Sequence, residues 1–90
     1  MIGGFGQQEV TQEHIDLVEA NKEKINTAVG VNSAHWNINS VQSQVVAGVN
    51  YKFHLTAENL DPFSVKLFVP LPHTGNPTEV ASWAAGHVEL

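Results

Sequence analysis

Gln44-Val45-Val46-Ala47-Gly48-Val49-Asn50-Tyr51-Lys52-Phe53-His54-Leu55-Thr56 is the stretch on which the fold turns. From Val49 onward, apolar Val49, Tyr51, Phe53 and Leu55 alternate with polar Asn50, Lys52, His54 and Thr56. Side chains of a strand point alternately to its two faces, so this period of two describes an antiparallel strand with one buried face. Ahead of it, Gln44 to Gly48 interrupts the pattern with a small, largely apolar tip that ends in glycine. A tip of that size and polarity suits entry into a cleft.

The neighbouring segments extend the same pattern. Ala34, Trp36 and Ile38 alternate with His35, Asn37 and Asn39, and the parity shifts at Ser40-Val41, which predicts a bulge or bend before the tip. After the polar turn Glu58-Asn59-Leu60-Asp61-Pro62, residues Phe63, Val65, Leu67 and Val69 alternate again. Pro70 and Pro72 end that ladder because neither offers a backbone donor. A last short strand is expected around Glu79 to Ala85, beyond the turn His73-Thr74-Gly75-Asn76-Pro77.

Before the strands the period is helical. Thr11 is a natural N-cap, Glu13 and Asp16 suit the positive start of a helix, and Gly30 is a natural stop. Leu17, Val18, Ile25, Ala28 and Val29 form one stripe, which His14 and Asn21 interrupt. Residues 1–10 show no period and read as a flexible arm. The sum is an α+β fold in a single domain of residues 1–90: one N-terminal helix packed across a four- to five-stranded antiparallel sheet.

Composition narrows the function. Ninety residues form one domain, and the absence of cysteine excludes disulfides, thiolate metal sites and a cysteine nucleophile. Four Lys and Arg against nine Asp and Glu give a formal charge of −5, with no basic cluster, so a nucleic-acid partner is not expected. No stretch approaches the roughly 20 apolar residues of a membrane span, and the N-terminus has neither the basic patch nor the apolar run of a secretory leader. A cytoplasmic protein without a membrane partner is the expectation. The five histidines have no ligand-like spacing and read as surface or edge residues, and the serines lack a nucleophile-elbow context, so no metal, cofactor or catalytic residue is expected. Trp36 and Trp83 are both candidates for the core, Trp83 the weaker one because it is close in sequence to the second turn.

With these residues in hand, the chain resembles the stefins, the cysteine-free single-domain branch (type 1) of the cystatin superfamily. Gln44 to Gly48 matches that family's Q-x-V-x-G motif, Gly3 and Gly4 match its N-terminal glycines, and Leu71-Pro72 matches its second hairpin. The resemblance implies a cystatin-like fold and reversible, tight, competitive inhibition of papain-like, cathepsin-type cysteine proteases. It also implies a three-part wedge in the protease cleft: Ile2, Gly3 and Gly4 on the non-primed side, Gln44, Val45, Val46, Ala47 and Gly48 over the catalytic region, and Leu71, Pro72 and His73 on the primed side. The chain departs from the family in its short arm, which has no proline before the glycines, and in its short tail, which weakens the expected packing of that segment on the sheet.

Val45 and Val46 supply apolar area at low rotamer entropy, Gln44 can reach a backbone amide, and Ile2 can fill an apolar subsite. Gly48 permits close approach to the cleft wall, and at a hairpin end its substitution is expected to spare the fold. Straightening the Gln44–Gly48 loop offers a route from monomer to domain-swapped dimer. The alternative to inhibition is a cystatin-fold binding scaffold with no protease target.

Overall fold

The computed structural model describes residues 5–58 and 60–88. Its elements follow in the order β1 (Gly6–Gln8), α1 (Gln12–Ala20), α2 (Lys22–Val29), β2 (Asn37–Val46), β3 (Gly48–Thr56), β4 (Phe63–Pro70) and β5 (Glu79–Ala85). The strands form one antiparallel sheet in sequence order, with the helices on one face.

The alternating strands have the faces that their period dictates. Phe53, Leu55, Val65 and Leu67 are fully buried toward the helices, where each large aliphatic or aromatic group contributes about 1.5–3 kcal/mol. The parity shift expected at Ser40-Val41 is a register shift between Ile38 and Ser40, and it turns Val41 into the core opposite Phe53. Trp36 is buried just ahead of β2. Its indole nitrogen donates to Asn26 Oδ1 at 2.8 Å, and Asn26 Nδ2 donates to the Ser33 carbonyl at 2.8 Å, so one helical side chain anchors the connection into the sheet.

The helical segment departs from its expected form in two ways. It is divided at Asn21, where φ −110 and ψ 13 leave the helical region and the side chain donates to the Leu17 carbonyl at 2.8 Å. An asparagine competing for an i−4 carbonyl bends a helix in this way. The residues that interrupt the apolar stripe are also its buried members: His14, Val18, Asn21, Ile25 and Val29 are spaced by three or four and all face the sheet. His14, expected at the surface, is buried between Gln8, Tyr51 and Phe53. Its Nδ1 accepts from the Thr11 backbone N–H at 3.0 Å, so the ring proton sits on Nε2, 3.2 Å from Gln8 Oε1. His14 thereby takes the reach-back role of the third residue in a capping box, and Thr11 has the extended backbone of an N-cap. At the other end Gly30, with φ 78, ends α2 in the left-handed conformation that glycine adopts without steric cost.

Within the segment read as an arm, Gly6, Gln7 and Gln8 pair with Ser43, Gln42 and Val41 as an edge strand. The tail also returns to the sheet. Gly86 N–H donates to the Pro62 carbonyl at 2.7 Å, while buried Ser64 donates to the Gly86 carbonyl at 2.7 Å and accepts from Val88 N–H at 2.9 Å. Trp83, unlike Trp36, is 42% exposed on β5, against Phe63. No helix among the described residues is long and apolar enough to cross a membrane.

Candidate functional site

Strand register brings the candidate residues to one end of the sheet. In the first hairpin Val45 pairs with Val49 and Val46 with Gly48, which leaves Ala47 alone at the turn. Gly48 in turn pairs with Pro70, the last residue of β4, so the Leu71 loop starts beside the first hairpin's tip. Because Gly6 opposes Ser43 and the pairing is antiparallel, Gly6 is the end of β1 nearer this same end of the sheet.

At that end the apolar side chains face outward. Val45 is 74% exposed, Val46 43% and Leu71 39%. Neither Gln44–Tyr51 nor Pro70–Thr78 carries a carboxylate, lysine or arginine, so burying this surface against a partner desolvates no such charge. An open groove of about 510 Å³ lies away from it, between α2 and the start of β5, lined in part by Lys24, Thr27, Ala28 and Val80.

Both loops are braced from within. Asn50 Nδ2 donates to Gln44 Oε1 at 3.1 Å across the base of the first hairpin, so in this structure the Gln44 side chain holds the hairpin. In the second loop, Pro72–Thr74 form a 3-10 turn in which the Thr74 N–H and hydroxyl both donate to the Leu71 carbonyl, at 3.1 and 2.8 Å. β-branched valines on a paired ladder and a proline-started turn have little conformational entropy left to lose on binding.

Gly48 has an internal role. It is buried, its φ is +128, and a Cβ there would stand 2.5 Å from the Val69 carbonyl oxygen and 3.0 Å from the Phe68 ring. The glycine is therefore demanded by the contact between β3 and β4 before any partner arrives. The expectation that substitution spares the fold is corrected on this ground.

No protein-family model matches the chain. Among solved structures it is similar to the secreted type 1 cystatin from Fasciola hepatica, with 30% sequence identity and a TM-score of 0.79 over 94% of this chain and 97% of that one. The chain belongs to the type 1 cystatins.

That membership places it in a family of cysteine protease inhibitors. The relative is described as secreted, so kinship does not assign this cystatin to the cytoplasm. Ile2, Gly3 and Gly4 lie outside the described residues. Gln44, Val45, Val46, Ala47, Leu71, Pro72 and His73 are brought to one end of the molecule, with Gly48 packed behind them. Trp83 is not with them, since it pairs with Val65 further along β5. Sequence reasoning missed two supporting residues, Asn50 and Phe68. Counting the hairpin register back from Gly48 identifies Asn50 as the partner of Gln44, whereas the Phe68 contact depends on how β3 meets β4.

Proposed function

We propose that this cystatin is a reversible, tight-binding competitive inhibitor of papain-like, cathepsin-type cysteine proteases and works as a wedge. The reading rests chiefly on Val45 and Val46, exposed apolar residues on a braced hairpin whose register sets it beside the Leu71 loop. A papain-like cleft is a groove with apolar subsites on both sides of a cysteine–histidine pair. Val45, Val46 and Ala47 would cover the catalytic region, Leu71, Pro72 and His73 the primed side, and Ile2, Gly3 and Gly4 the non-primed side. Binding would come from burial and dispersion, which require shape and no reactive group. The two loops are held on one frame, so their contacts and that of the arm share a single association penalty, and a small surface can bind tightly.

Inhibition by occupancy also defines what the partner does not need. A protease whose cysteine carries a small alkyl block should still bind, more weakly because the added atoms crowd the tip, and inhibitor recovered from active enzyme should be uncut. The direct test is titration of papain with the protein, following residual activity. A linear fall to an equimolar end point, relieved by competing substrate, supports the wedge. Full activity at a large excess of the protein refutes it.

A further inference from the structure

We infer that Phe5 positions the N-terminal arm by laying its ring over two lysines on the open face of the sheet. The inference rests on the inhibitory wedge proposed above and adds a residue to it. Lys52 on β3 and Lys66 on β4 are direct cross-strand partners, and they are two of only four basic residues in the chain. Like charges directly opposed on a ladder repel. The Phe5 ring lies over both ammonium groups, with its centroid 4.8 Å from Lys52 Nζ and 5.6 Å from Lys66 Nζ. Both distances are within the range at which the negative face of an aromatic ring attracts a cation, and the attraction strengthens with desolvation. Lys52 is only 3% exposed.

The geometry acts on the backbone. Phe5 directly precedes Gly6, whose pairing with Ser43 begins β1, so the chain is fixed there by the ladder on one side and by the ring on the other. The ring crosses the level of β2 to reach side chains from β3 and β4, so the backbone is held at Phe5. Gly6, which it precedes, is the end of β1 nearer the Val45–Val46 tip. An arm whose root is fixed loses less freedom when the protease binds, and the gain falls mainly on dissociation. Phe5 is thus a positioning residue acting through the arm.

The test compares Phe5→Leu, which keeps apolar bulk without a π face, with Phe5→Trp, which keeps the face. In the free protein, the ε-methylene protons of Lys52 and Lys66 should show upfield ring-current shifts that vanish in Phe5→Leu and persist in Phe5→Trp. Against papain, Phe5→Leu should dissociate about threefold to thirtyfold faster, the span of one exposed to desolvated cation–π contact, and Phe5→Trp should stay within about twofold of the parent. The melting temperature of Phe5→Leu should fall by about 3–10 °C while that of Phe5→Trp matches the parent, and removing residues 1–4 should cost a smaller factor in Phe5→Leu than in the parent. Unshifted lysine protons, an unchanged dissociation rate in Phe5→Leu, or a fully additive effect of the truncation each overturns the positioning role. Failure of the parent protein to inhibit papain overturns the wedge and this role together.

Discussion

Substituting Gly48 by alanine separates a demand of the fold from a demand of the partner. A non-glycine residue at φ +128 carries about 1–3 kcal/mol of backbone strain. Its Cβ, 2.5 Å from a backbone oxygen that no rotamer change can move, adds about 1–3 kcal/mol of overpacking. The combined cost is about 2–6 kcal/mol, against a total stability of about 5–13 kcal/mol for a domain of 90 residues. With an unfolding entropy of about 2.1 cal/mol/K per residue, or about 0.19 kcal/mol/K for 90 residues, even 2 kcal/mol lowers Tm by about 10 °C. The matched control is Val45→Ala. Val45 is 74% exposed, so its loss should change stability by no more than about 0.5 kcal/mol and Tm by less than about 3 °C. The same change should weaken protease binding by about 1–2 kcal/mol through lost apolar burial. Thermal unfolding followed by circular dichroism, paired with papain inhibition at a temperature where both variants are folded, distinguishes the two. A Gly48→Ala protein that melts with the parent would refute the steric argument and return Gly48 to a role in the cleft alone.

Other consequences can be checked independently. Ser64→Ala removes the hydroxyl that holds both the Gly86 carbonyl and the Val88 amide, so urea unfolding should show a loss of about 1–3 kcal/mol, with faster amide exchange at Val88 and inhibition unchanged. Asn26→Ala leaves the Trp36 indole and the Ser33 carbonyl without their partner; about 1–3 kcal/mol of stability should be lost, with a shift in tryptophan emission, while an unaltered spectrum would argue against the anchoring role. A dimer formed by partial heating through exchange across the Gln44–Gly48 hairpin would have consumed that hairpin; gel filtration should yield a dimer fraction that no longer inhibits, and a fully active dimer would contradict the account.

Local physics explains what the sequence alone determined. The period of two in Val49–Leu55 and Phe63–Val69 sets the faces of β3 and β4, because successive side chains of any strand must alternate. The parity change at Ser40 gives the bulge, Gly30 gives the end of α2, and Pro70 ends β4, each through the conformation of one residue or the donor it lacks. The candidate tip is legible for the same reason, as small apolar residues between two alternating runs. Tertiary contacts decided the rest. His14 and Asn21 look like flaws in an apolar stripe until Thr11, Gln8 and Leu17 supply their hydrogen bonds, and a polar group can be buried only when such partners exist. Gly6–Gln8 carry no strand period, and they form a strand because β2 has an edge to pair with. Gly48 is readable as a turn residue, but its requirement comes from Val69 and Phe68, some twenty positions away, and no local pattern encodes a distance between two strands.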